Sequence, residues 1–333
     1  MKLMDRKSLR GPLLRSVSRS FYLSLRFLPK PLRDPLSLAY LLARATDTIA
    51  DTPEPPVALR AEALRALAAA IQGTAPWETT APLRESFASR QTDGAERTLI
   101  EQLPGLLQWL DELPAPDRAE VRDVLVKINR GQLLDLERFG AGAGEIVALR
   151  NAAELDEYTY LVAGCVGEFW TRLCFRHVKN FSDQSEAKMR ELGISYGQGL
   201  QLINILRDAG NDLRNGRCYF PADELDSLGV APSEIVPDPS QIEPVLENWR
   251  AKAEAGIEAG MEYACAIGSR RVRFATALPA LIGARTLALL REARAEALTR
   301  KIKIPRAEVR AMIASTALAS PDGLRKRFET YRK

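Results

Sequence analysis

The chain has 333 residues with 46% hydrophobic and 27% charged content, which is ample for a core and rules out global disorder. Its formal charge is only +4 with no basic block interleaved with aromatics, so nucleic-acid binding is not expected. The single histidine, His177, removes histidine-based zinc sites and leaves a hydrolase triad no nucleophile-elbow sequence to pair with.

The N-terminal Met-Lys-Leu-Met-Asp-Arg-Lys-Ser-Leu-Arg lacks the apolar core of a signal peptide, and no later stretch reads as a membrane-spanning helix. A cytoplasmic protein, at most peripheral to the inner membrane face, is the expectation. Apolar residues recur at three and four almost throughout, Ala, Leu, Arg and Glu dominate, and strand signals are nearly absent. This predicts an all-α, single-domain protein over residues 1–333. The first strongly patterned helix follows Pro29-Lys30-Pro31 and ends at Thr52-Pro53-Glu54-Pro55-Pro56. Tyr40, Arg44, Asp47 and Asp51 share one stripe of it, flanked by Leu38, Leu41, Leu42 and Ile49. Residues 73–97 are polar, interrupted by Pro76 and Pro82, and read as a loop excursion.

The run Gly140-Ala-Gly142-Ala-Gly144 is no dinucleotide fingerprint, since its spacing is wrong and no strand precedes it. Cys165, Cys174, Cys218 and Cys265 lack zinc spacing and read as reduced thiols. Gly164 and Gly167 are costly in a helix, which suggests close helix packing or ligand approach. A second patterned helix then places Gln201, Asn204, Asp208, Asn211 and Asp212 on one stripe, with Leu202, Ile205, Leu206 and Leu213 on its sides. Asp47/Asp51 and Asp208/Asp212 are the only aspartates four apart. Carboxylates at that spacing, about 5–6 Å between Cβ atoms, repel unless a cation sits between them. Hard oxygen donors suit Mg²⁺, which takes one or two carboxylates and completes its shell with water and phosphate. Two apolar helices with acid stripes are expected to face one central cavity.

Five blocks resemble the head-to-head prenyl synthases, the squalene and phytoene synthase family, over roughly residues 11–310. They are Ser18-Arg19-Ser20-Phe21; Tyr40-Leu-Leu-Ala-Arg44-Ala-Thr-Asp47-Thr-Ile-Ala-Asp51; Tyr158-Thr-Tyr160-Leu-Val-Ala-Gly164-Cys-Val-Gly167; Gln201-Leu-Ile-Asn204-Ile-Leu-Arg207-Asp208 with Asp212; and Gly216-Arg217 before Pro221. The resemblance implies an isoprenoid-synthase-type helical bundle that joins two farnesyl diphosphates through presqualene diphosphate, with NADPH reduction to squalene. Squalene synthase is preferred because Arg-Ala-Thr-Asp-Thr-Ile-Ala-Asp is similar to the squalene-type motif, and Ala284-Arg285-Thr286-Leu287 lacks the phytoene-type tyrosine. Ala50, where squalene-type enzymes have glutamate, cuts the other way. The alternatives are a phytoene, dehydrosqualene or hydroxysqualene synthase, and a non-catalytic assembly factor on the same fold.

The resemblance also implies residue roles. Asp47, Asp51, Asp208 and Asp212 would hold Mg²⁺ against the departing diphosphate. Arg44 and Arg207 are candidates for a phosphate fork, as are Arg19 and Arg217 with the hydroxyls of Ser18 and Ser20. Tyr40, Gln201 and Asn204 would line the substrate, and Phe21, Tyr22, Phe169, Tyr196 and Phe274 offer aromatic faces to a carbocation. Tyr158 holds the family position for a weak base. Arg300-Lys301-Ile-Lys303 resembles the segment that contacts NADPH phosphate. The basic tail, about 320–333, is expected to touch anionic lipid, and no obligate protein partner is implied.

Overall fold

Proline and glycine end the helices where their chemistry requires in the computed structural model, which describes residues 3–18, 22, 25, 27–140 and 145–333. Helix α1 (Lys30–Asp51) follows Pro29, carries Pro31 in its first turn where no amide bond is lost, and stops at an extended Thr52 ahead of Pro53. Helix α2 (Val57–Gln72) closes on Gly73, whose φ of 73° is the left-handed conformation of a helix end. The expected loop over 73–97 is corrected, for most of it is helical. A 3-10 turn at Trp77–Thr80 leads into α3 (Ala81–Ala88), and α4 (Gly94–Glu101) begins at Asp93, whose carboxylate accepts from the amides of Ala95 and Glu96. Pro82 falls in the first turn of α3, where proline initiates a helix and does not break it. Then come α5 (Leu103–Asp111) and α6 (Ala115–Phe139).

The chain groups into two compact units, residues 1–140 with 172–177, and residues 141–171 with 178–333. In the first, α1 packs on α6, α2, α4 and α5. Leu38, Leu41, Leu42 and Ile49 of α1 are fully buried, each a side chain whose removal from water stabilises by about 1.5–3 kcal/mol. The lone histidine also belongs to this unit. His177 Nε2 lies 2.8 and 3.0 Å from the two oxygens of buried Asp117, which Arg176 also contacts at 3.1 Å. It serves a charged cluster and no nucleophile.

The second unit starts with strand β1 (Val147–Leu149), helix α7 (Ala152–Thr159), a π-turn over Tyr160–Gly164 and α8 (Cys165–His177), whose last residues count with the first unit. Helix α9 (Glu186–Arg214) leads to β2 (Arg217–Pro221), which pairs parallel to β1 with Val147 opposite Arg217. The helices α10 (Glu243–Cys265), α11 (Arg270–Ala293), α12 (Arg306–Thr316) and α13 (Pro321–Tyr331) complete it. α10 packs along α9, and α11 lies against both.

Glycine sets the depth of that packing. A Cβ on Gly199 of α9 would lie 2.8 Å from the Cα of Gly256 on α10, and one on Gly256 would lie 2.7 Å from the Cα of Gly199. A Cβ on Gly167 of α8 would reach 1.9 Å from the carbonyl oxygen of Gly193 on α9. Of the two readings of that glycine, close helix packing is the one observed. The segment Arg270–Leu298 corrects a second expectation. It is long and apolar enough to cross a membrane, with 72% of its most apolar window buried inside the protein. Such a segment serves as a core helix. Gly256→Val should cost at least about 1–3 kcal/mol, because backbone meets backbone there and no side chain can yield. Thermal unfolding followed by circular dichroism checks this, and an unchanged midpoint would contradict it.

Candidate active site

Burial of the apolar flanks of α1 fixes its rotation and turns the polar stripe the other way. Tyr40, Arg44 and Asp47 are half-buried and Asp51 is exposed. Arg44 donates through Nη1 to Asp47 and through Nη2 to Glu96, which the Asp93 cap holds on α4. The remaining donor, Arg44 Nε, is buried with no partner among the described residues. Asp47 is pushed up to about 6, first by burial, then by the negative charge of Asp51, with Glu96 adding and Arg44 opposing. Tyr40 donates its hydroxyl to the Val17 carbonyl at 3.4 Å. Ser18 is buried, its hydroxyl donating to the Leu14 carbonyl of its own turn. Arg19, Ser20 and Phe21 lie outside the described residues.

On α9 the same logic holds. Leu202, Ile205, Leu206 and Leu213 are buried, while Gln201, Arg207, Asp208 and Asp212 are half-buried and Asn204 is exposed. Asn204 donates to Gln201 at 3.3 Å. Arg207 grips its sequence neighbour Asp208 with Nε at 3.0 Å and Nη2 at 2.5 Å, a two-pronged contact that orients the carboxylate. Gly216 then turns the chain, its φ of 78° allowing the reversal, and its carbonyl accepts from Val147 N at 3.0 Å. β2 begins there with half-buried Arg217. Two residues on, Tyr219 is buried and stacks on Tyr158 of α7, ring centroids 5.1 Å apart, with the hydroxyls 3.4 Å from each other.

Glu96 and Tyr219 are missing from the residues expected by sequence. Glu96 was hidden by reading its helix as a loop, although Asp93-Gly94-Ala95-Glu96 carries a helix-start signal. Tyr219 had no signal of its own, because only the β1–β2 pairing brings it to Tyr158. Among the aromatics, Phe169 and Tyr196 are buried, and Tyr196 donates to the Thr276 carbonyl at 2.8 Å, a core role. Lys301 and Lys303 are both exposed and flank buried Ile302.

Among the described residues no three His, Cys, Asp or Glu side chains gather as a preformed metal cage. The donor set fits Mg²⁺, which needs one or two carboxylates beside phosphate and water. A carboxylate that resists ionisation beside a second one is a place where a divalent cation relieves repulsion, and the unpaired Arg44 Nε suits a phosphate oxygen. The raised Asp47 value has a sign. The folded chain holds this proton more tightly than the unfolded one, where the group titrates near 3.8, so stability falls as pH rises from there to about 6 and stays lowered above. Since the side chain keeps 41% of its surface accessible, solvent screening discounts the effect. In chelator-treated buffer near neutral pH, Asp47→Asn should raise the melting midpoint by about 1–3 °C. The gain should vanish below about pH 4, where both chains carry a neutral group. A midpoint difference independent of pH would contradict this.

Residues 14–308 match the squalene/phytoene synthase family. The chain is 29% identical over 227 residues, 67% of its length, to a bifunctional lycopene cyclase/phytoene synthase of Colletotrichum graminicola, of which it covers 36%. It is 29% identical over 212 residues, 63% of its length, to the squalene synthase of Saccharomyces cerevisiae, of which it covers 44%. Against the 15-cis-phytoene synthase of Synechocystis the identity is 26% over 74% of this chain and 63% of the relative. The chain thus spans a third to two thirds of the length of these relatives. Its fold superposes on a ligand complex of TcSQS with a TM-score of 0.77 at 20% identity, covering 97% of this chain and 89% of the other. A dehydrosqualene synthase in complex with ligand gives a TM-score of 0.63 at 22% identity, covering 97% and 96%. An all-α isoprenoid synthase fold and a family match over most of the sequence lead to one conclusion: the chain belongs to the squalene/phytoene synthase family.

Proposed function

We propose that this protein is a prenyltransferase that condenses two prenyl diphosphates head to head, the activity of its family. We assign farnesyl diphosphate as the substrate, joined through presqualene diphosphate and reduced with NADPH to squalene. The observation that carries the reading is Asp47, a carboxyl held near pH 6 beside Asp51, with Arg44 and an unpaired guanidinium donor at its side. Both acid stripes serve this one reaction, in a single catalytic domain.

Asp47, Asp51, Asp208 and Asp212 are the residues to hold Mg²⁺, which when bound neutralises charge on the departing diphosphate. Arg44 offers Nε to a phosphate oxygen, and Arg207 fixes the direction of the Asp208 carboxylate. Arg217, Gln201, Asn204, Tyr40 and the Ser18-Arg19-Ser20 stretch complete the substrate contacts of the proposal. Tyr158 accepts the proton lost as the cyclopropane closes while passing its own hydroxyl proton to the departing diphosphate, and Tyr219, 3.4 Å away, steadies its oxygen by hydrogen bonding. Lys301 and Lys303 present paired positive charge to the NADPH phosphate. The reaction is placed in the cytoplasm, at the inner membrane face, where a hydrocarbon product can leave.

A synthase without the reductive step is the second reading, supported by phytoene synthases among the relatives at similar identity. Incubation with farnesyl diphosphate and Mg²⁺, with and without NADPH, tests both. Squalene formed only with NADPH is expected. A product that ignores NADPH selects the second reading, and no coupling of any prenyl diphosphate defeats both. Asp47→Asn and Asp208→Asn should each lower turnover by at least about a hundredfold with helical content unchanged. A near-normal rate in either would remove the metal role.

A further inference from the structure

The charge of this chain is unevenly spread. Residues 270–333 carry sixteen Lys and Arg against five Asp and Glu, a net +11, so the other 269 residues carry −7 of the overall +4. An acidic body with a strongly basic C-terminal region is the pattern of a protein that meets an anionic surface.

Within that region one large apolar side chain stands out in water. Leu318, in the connection between α12 and α13, keeps 78% of its surface accessible, the highest value among the exposed large apolar residues described. Ala314 and Ala317 beside it are exposed as well. The turn is firmly built. Ala319 N donates to the Thr316 carbonyl at 3.1 Å, the Ser320 hydroxyl caps α13 by accepting from Gly323 N, and Cys265 Sγ donates to the Pro321 carbonyl at 3.5 Å. Since Cys265 ends α10 just ahead of Arg270, this contact sets the leucine turn beside the start of α11.

The helices around this turn carry exposed cations. Arg270 and Arg271 on α11, Arg310 on α12 and Lys326 on α13 are exposed, with no ion-pair partner among the described residues. The acids at this end are already engaged, Asp322 with Arg325 at 3.1 Å and Glu262 with Lys188 at 3.9 Å. A lone exposed leucine is ordinary surface. One held outward by an anchored turn and flanked by unpaired cations matches the two needs of reversible bilayer contact, an apolar wedge and charge for anionic headgroups. Single-stranded nucleic acid fits less well, because Phe274, Phe328 and Tyr331, the aromatics of this region, are all buried or half-buried and offer no open stacking platform.

We propose that the Leu318 turn, with Arg270, Arg271, Arg310 and Lys326 on the helices around it, docks this protein on an anionic phospholipid surface. Its purpose rests on the hydrocarbon product proposed above, whereas the docking itself needs neither substrate nor turnover. The test is co-sedimentation of the full chain with vesicles of phosphatidylcholine alone and of phosphatidylcholine mixed with phosphatidylglycerol. The chain should sediment with the mixed vesicles, stay in solution with the neutral ones, and be released by high salt. Leu318→Asp, and separately Arg270→Glu with Arg271→Glu, should each weaken binding about tenfold, while Leu318→Phe keeps it. Circular dichroism of each variant confirms folding, and the surface location of these residues leaves the core untouched.

Equal binding to neutral and anionic vesicles, wild-type binding by both weakened variants, or tighter binding to a labelled RNA oligonucleotide than to vesicles would each overturn the proposal. Vesicle binding by a chain that couples no prenyl diphosphate would support the docking and defeat the proposed function instead.

Discussion

Each acid stripe depends on a helix whose rotation is dictated by what that helix must hide. Once Leu38, Leu41, Leu42 and Ile49 are withdrawn from water, α1 cannot turn its acids elsewhere without exposing that apolar surface. The repulsion between Asp47 and Asp51 is therefore tolerated and not relaxed, and Arg44 with Glu96 forms around it. On α9 the buried Leu202, Ile205, Leu206 and Leu213 exert the same constraint on Asp208 and Asp212. On α1, core packing thus maintains an electrostatic cost at Asp47, which a divalent cation would relieve.

The two acid stripes are completed in different ways. Asp47 is held by an arginine one turn before it, which bridges to a glutamate on another helix and keeps one donor unused. Asp208 is held by the residue directly before it, in a contact that uses both carboxylate oxygens. The first arrangement leaves a carboxyl that resists charge, and the second fixes the direction of a carboxylate by two hydrogen bonds. Beside α9, a strand pair of a few residues does what no helix could. By bringing β2 next to β1, which runs into α7, it stacks Tyr219 on Tyr158 and brings the two hydroxyls to 3.4 Å.

Glycine has a structural office in the second unit that differs from its usual place in turns. Gly199 and Gly256 let α9 and α10 touch backbone to backbone, and Gly167 does so against Gly193. Tight contact of this kind fixes the position of α9 against α8 and α10. The apolar segment that includes α11 is largely buried as well, despite a composition that could span a bilayer.

Periodicity determined the all-α class and the membership of both acid stripes, because a repeat of three and four can bury apolar flanks in only one rotation, and the flanking prolines determined the bounds of α1. The five ordered blocks were enough to point to the family. Only tertiary structure decided the rest. Most of residues 73–97 is helical because Leu83 and Phe87 find buried places that local polarity does not reveal. Glu96 reaches Arg44 across 52 positions, and Tyr219 reaches Tyr158 across 61. Such partnerships come from contacts between distant segments, whose energies no local pattern encodes, and so they became visible only in the folded chain.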